Sequence, residues 1–213
     1  KAIRRQRQMC IRDRECMIMN PVSSNPAKKA GAASLFTTRE MVLAGMFAAV
    51  MAVISQLSIP MPTGVPVTIQ VFGVALVGAV LGWRLGLCSM LVYILIGAVG
   101  LPVFANFGGG IKSLVGLTGG YIWAWPIMAA LCGIQPGLKS KKADLGARIL
   151  LALVGLAAVE IIGGLQWAAL SGDMTLGAVF AYSLVAFIPK DIVITVIAVV
   201  ISGPFRKMIA RGI

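Results

Sequence analysis

From about residue 39 onward the chain is a succession of apolar runs, each cut off by a short cluster of proline, glycine or charge. A hydrocarbon layer about 30 Å thick takes roughly 20 apolar residues per helical crossing. The runs at about 39–57, 67–81, 85–101, 114–134, 149–170 and 189–201 therefore predict about six transmembrane helices. The interruptions carry the same message: Pro60, Pro62, Gly64 and Pro66 end the first run, and Gly82-Trp83-Arg84 is a tight turn between the second and third. Pro102 closes the third run and Ser171-Gly172-Asp173 breaks the fifth. The run at about 176–188 is too short to span, and Pro189 suits the first turn of a new helix, so a short re-entrant or interfacial helix is expected before the sixth span.

Composition excludes a soluble alternative. Hydrophobic residues make up 59% and charged residues 12% of 213, with a mean hydropathy of +0.94, more apolar surface than a globular fold hides. The fold class expected is an all-α membrane protein: one six-helix bundle over residues 37–213, preceded by a tail at 1–36. Within the tail, Met9 to Arg14 reads MCIRDR and resembles a translated sequencing adaptor, so a natural start at Met17 or Met19 is expected, the weaker alternative being a basic arm on anionic lipid. Residues 21–38 are polar and rich in small side chains rather than an apolar h-region, so no signal peptide is expected.

The net charge of +12 fits membrane orientation better than nucleic acid, because the cations lie outside the apolar runs. Half of the excess is in the tail. Arg39, Arg84, Lys139, Lys141, Lys142, Arg148, Arg206, Lys207 and Arg211 fall on one set of alternate loops, and Lys112, with Lys190 at the margin, on the other. The positive-inside rule then puts both termini in the cytoplasm and the Pro-rich loop, the Gly-rich loop and Asp173 outside. Cys10, Cys16, Cys88 and Cys132 form no CxxC pair and histidine is absent. A metal site, a disulfide framework, a cofactor and hydrolase chemistry all start from a low expectation.

Three features carry candidate chemistry. Ala44, Ala48 and Ala52, with Gly45 and Ala49 beside them, form a small-residue stripe that admits close approach of another helix, within this bundle or from a partner. The segment GLPVFANFGGGIKSLVGLTGGY (100–121) lets backbone N–H groups at glycines such as Gly108 and Gly119 approach a ligand, and Phe104, Asn106 and Tyr121 add aromatic and amide groups. It is no Walker A loop, since Ile111 intervenes before Lys112-Ser113. Glu160, Lys190 and Asp191 are charges in or at the edge of apolar runs, which are costly and therefore functional candidates; for Glu160 a structural hydrogen bond is as strong a reading as a ligand or proton role.

Taken together, VPVTIQVFGVALVGAVLG (65–82), GLPVFANFGGG, TGGY and FIPKD (187–191) resemble the BioY family over nearly all of residues 38–209. The resemblance implies a substrate-binding subunit of an energy-coupling factor (ECF) transporter, in the inner membrane of a prokaryote. Such a subunit captures biotin outside and associates with a membrane scaffold subunit and two cytoplasmic ATPases. Under it the stripe Ala44, Ala48, Ala52 is expected to contact the scaffold. Matched to biotin, Asp191 and Asn106 suit the ureido head, Phe104 and Tyr121 the thiophane ring, Lys190 or Lys112 the carboxylate, and Gln70 and Thr68 the closing edge. In the family the aspartate of the last helix is commonly followed three residues later by lysine; Ile194 holds that place here, and Lys190 precedes the aspartate instead.

The competing reading is a proton-coupled secondary transporter of a small organic anion or vitamin, with Glu160 carrying the proton. It requires two similar halves with interrupted helices, and no such repeat is evident. An intramembrane enzyme lacks a base, and Ser113 with Lys112 has no supporting context.

Overall fold

A computed structural model describes residues 36–172 and 174–211. The tail readings up to residue 35, and Asp173, lie outside the described residues. The elements are α1 (Thr38–Ile54), β1 (Ser58–Ile59), β2 (Val67–Thr68), α2 (Gln70–Leu81), α3 (Trp83–Ala98), a 3-10 turn (Ala105–Phe107), α4 (Ile111–Val115), α5 (Gly119–Gly133), α6 (Lys141–Leu170), α7 (Leu176–Ala186) and α8 (Ile188–Arg211). The described residues are thus mostly helical, as the apolar runs imply. The turn at Gly82 and the division between α7 and α8 fall where breakers stand in the sequence.

Three local differences matter for the site. The second apolar run does not begin as helix: Val67 and Thr68 pair with Ile59 and Ser58 in an antiparallel ribbon, and the helix starts at Gln70. The β-branched pair Val67-Thr68 favours extended backbone, and the prolines at 60, 62 and 66 deny helix to the residues between the strands. The glycine-rich segment is not a plain connector, since it holds the 3-10 turn and α4. The polar link before the fifth span is partly helix, because α6 already starts at Lys141.

Helix α2 is the inner helix. It is buried on nearly every side, from Gln70 and Val71 to Ala79 and Val80, and packs against α1, α3, α5 and α8. Small residues make this possible: a Cβ at Gly78 would lie 2.2 Å from the carbonyl oxygen of Ala129 on α5, so only glycine permits this crossing. By length and composition two of the described helices, Lys141–Leu170 and Ile188–Ile209, are able to cross a membrane, while α2, α3 and α7 are shorter apolar helices. With 12 residues, α2 rises only about 18 Å.

The alanine stripe of α1 faces inward, against the expectation of a partner surface. Ala44 and Ala48 are buried, Ala52 packs on the main core, and Ser89 of α3 donates to the Ala44 carbonyl at 2.9 Å. The stripe serves close packing of α1 on its own bundle. The face left open to lipid or partner carries Met41, Val42, Met46, Val50 and Val53, with Gly45 and Ala49 among them.

Apolar packing divides into two clusters. The larger centres on Met51, Val74, Met90, Tyr93 and Met128. A smaller one joins Val65, Trp167, Val179 and Phe187, with Tyr182 edge-on to both rings. Tyr121 packs on both clusters, and the seam between them is where the cavity opens.

Candidate binding pocket

A cavity of about 200 Å³ is enclosed by the ribbon loop, the start of α2, the 104–106 turn, the first half of α5, the middle of α6 and the start of α8. These segments are far apart in sequence and meet at one end of the bundle. Thr68, Gln70, Phe104, Asn106, Tyr121, Lys190 and Asp191 all line it. Of the positions expected at a site, Lys112, Gly108 and Gly119 do not. Lys112 is exposed on the surface of α4, which leaves Lys190 as the cation among the lining residues. The Gly108 carbonyl accepts from the Phe104 N–H at 2.9 Å, closing the turn. Gly119 is a packing glycine, since a Cβ there would lie 1.9 Å from the Leu114 carbonyl oxygen.

The ion pair of the pocket is local in sequence. Lys190 Nζ donates to Asp191 Oδ1 and, at 2.7 Å, to the Thr68 carbonyl in the ribbon. Adjacent positions on a helix point about 100° apart. The flexible lysine stem overcomes that separation, and both side chains reach the same cavity. Asp191 is 3% exposed and its backbone N–H bonds the Phe187 carbonyl at 2.9 Å. Ile194, one turn on, packs on the main apolar cluster instead of lining the cavity.

The glycine-rich segment is held by side chains that sequence reasoning passed over. Gln56 donates through Nε2 to the Phe104 carbonyl at 3.2 Å and accepts through Oε1 from the Phe107 N–H at 3.0 Å. Ser58 donates to Asn106 Oδ1 at 2.8 Å, and Tyr93 OH to the Val103 carbonyl at 2.7 Å. Asn106 and Phe107 both have φ of 55°, a left-handed backbone that bulky residues rarely adopt unless their surroundings impose it. These bonds impose it. Phe104 is consequently fixed in the wall, edge-on to Tyr93 with ring centroids 5.6 Å apart, while Asn106 is exposed at the rim.

Glu160, for which the sequence left a structural and a ligand or proton role equally open, falls in the cavity wall. It lines the cavity beside Val159 and is 6% exposed, with Oε2 lacking any hydrogen-bond partner among the described residues. The Gln70 amide nitrogen and the Tyr121 hydroxyl are likewise buried without partners. Trp125, Ile122 and Phe187 supply the rest of an apolar wall. The cost of a charge inside an apolar run had already singled out Glu160, but which way it faces depends on how α6 is rotated, and the sequence does not show that.

Fold and cavity define a helical membrane protein with a small polar and aromatic ligand pocket near one end of its bundle. The BioY family model matches residues 26–211. The chain is 39% identical to the probable biotin transporter BioY of Pyrococcus horikoshii over 164 residues, 77% of this chain and 94% of that one. It is 36% identical to the biotin transporter BioY of Rhodobacter capsulatus, covering 81% of this chain and 94% of the relative. Among solved structures it is similar to the S-component for biotin from an ECF-type ABC transporter, with a TM-score of 0.70 and 26% identity over 81% of this chain and 95% of the other. The chain belongs to the BioY family.

Proposed function

We propose that this protein captures biotin in the cavity and serves its uptake as the substrate-binding subunit of an ECF-type ABC transporter. The observation that carries the reading is the lining of the pocket: buried carboxylate and amide groups and a half-buried ammonium beside an aromatic wall, in a chain of a family whose relatives are named biotin transporters. A ureido ring offers two N–H donors and a strongly accepting oxygen. Asp191 supplies an acceptor, and the Gln70 Nε2 and the remaining N–H of Lys190 supply donors for the oxygen. Phe104, Tyr121 and Trp125 cover the thiophane ring. Drug-sized ligands occupy pockets of about 300–1,000 Å³, so a cavity of about 200 Å³ suits the bicyclic head, and the valeryl chain would run toward the rim. Asn106, expected to meet the ureido head, is exposed at that rim, and its amide N–H groups suit the carboxylate. Calorimetry on the purified protein should give a nanomolar dissociation constant for biotin, roughly −12 kcal/mol. No heat of binding would remove the substrate assignment.

The membrane arrangement belongs to the same reading: six crossings of the inner membrane, both termini cytoplasmic, and a scaffold subunit with a pair of ATPases as partners. Supporting the common side of the termini, Arg39 at the start of α1 donates to the Ile209 carbonyl near the end of α8. Arg148 at the same end bonds Ser202 Oγ at 2.9 Å. Arg39 and Arg148 thus lie away from the cavity-lining residues, which supports a cytoplasmic face at that end under the positive-inside rule. In intact cells, a cysteine introduced at Lys112 should react with an impermeant maleimide and one at Lys141 should not; the reverse pattern would invert the orientation. Co-purification of ATPases with the tagged protein tests the assembly. The secondary-transporter alternative gains nothing from Glu160, which lies in the ligand cavity.

A further inference from the structure

Glu160 is a charge-bearing group in the middle of a long apolar helix, and nothing in its surroundings explains it structurally. A carboxyl retained to tie two helices together would show a hydrogen bond across the interface, yet Oε2 has no partner among the described residues. The cavity's cation is committed elsewhere, because Lys190 bonds Asp191 and the Thr68 carbonyl. The neighbours on its own helix, Leu156 and Val159, are buried and apolar. A buried polar group left without a partner lowers stability relative to an apolar side chain of the same volume. Such a residue is kept for what it does to a ligand, and its position in the cavity wall, within the same small space as Asp191, says which part of the ligand it meets.

We propose that Glu160 is the second acid of the ligand head site: it accepts one N–H of the ureido ring while Asp191 accepts the other. This rests on the biotin reading above and adds a specificity rule to it, since a head group with two N–H donors is matched and one with a single donor leaves a buried carboxyl facing an oxygen. The arrangement also fixes the ligand's direction, with the urea inward and the carboxylate away from two acids.

The test compares biotin with the two cyclic carbamate analogues in which one or the other ureido N–H is replaced by oxygen. Each is titrated into the wild-type protein and into Glu160→Leu and Glu160→Gln, with the melting temperature of each ligand-free protein recorded. Glu160→Leu should leave the ligand-free melting temperature unchanged or raised while weakening biotin about tenfold or more. One carbamate, the analogue lacking the N–H that faces Glu160, should bind Glu160→Leu no worse than wild type, while the other loses affinity as biotin does. Glu160→Gln, which keeps an acceptor but no charge, should fall between. Biotin affinity unchanged within about twofold in Glu160→Leu, or an equal loss for all three ligands together with a lower melting temperature, would overturn the proposal while the biotin reading stands. Failure of the wild-type protein to bind biotin would remove both.

Discussion

Asp191→Asn should weaken biotin binding by about 2 kcal/mol or more, close to a thirtyfold rise in the dissociation constant. The carboxylate is 3% exposed, lines the cavity and shares its charge with Lys190 alone among the hydrogen bonds it makes. A ligand N–H aimed at it would form a charge-assisted bond in a site that excludes water, where such bonds are strongest. Asparagine keeps the shape and one acceptor oxygen but removes the charge. It also presents an N–H2 that a ureido N–H cannot meet. The backbone bond from residue 191 to the Phe187 carbonyl is retained, so the start of α8 should fold unchanged. Calorimetry gives the affinity and a melting curve without ligand checks the fold. Wild-type affinity in a well-folded Asp191→Asn protein would show that the ligand head lies elsewhere.

Lys190→Met should cost about 2 kcal/mol of affinity, and it should cost the same for biotin as for its methyl ester. The reason is where the ammonium is spent. Of three N–H donors, one goes to Asp191 Oδ1 and one to the Thr68 carbonyl. Lysine therefore ties the ribbon to α8 and holds the aspartate in place, leaving a single donor for the ligand. Methionine keeps the stem's packing but leaves Asp191 buried beside no cation, and the loss falls on the head site that both ligands share. A loss confined to biotin, with the ester unaffected, would instead make Lys190 the partner of the carboxylate. The side chain is 29% exposed, so water offsets part of the cost and the effect stays below that of a fully buried pair.

The residues at which sequence and structure part company share a cause. Ala44 and Ala48 turn into the bundle although a stripe of the same composition would serve a partner equally well. Lys112 points away from the pocket although it lies in the glycine-rich segment that walls it. In a soluble helix the polar side marks the outside, but here α1, α2 and α5 are apolar around their whole circumference, and lipid is as acceptable a neighbour as core. Rotation about each helix axis is then not written in polarity. Packing volume decides it, as at Gly78 against Ala129.

By itself the sequence determined the order and approximate extent of the long helices, because they fall on the apolar runs and prolines and glycines end them. It also named side chains that line the cavity: Asp191 and the neighbouring Lys190, Glu160, Asn106 and aromatic residues beside flexible backbone. Only the tertiary structure decided which of these meet. Glu160 joins Asp191 because α6 and α8 are rotated toward one seam, and Gln56 and Ser58 shape the 104–107 turn because the chain folds back over α1's end. Hydrophobic burial is non-directional and sets the elements, whereas hydrogen bonds and close contacts are directional and set their azimuth, and only the second kind of force brings distant polar atoms into one pocket.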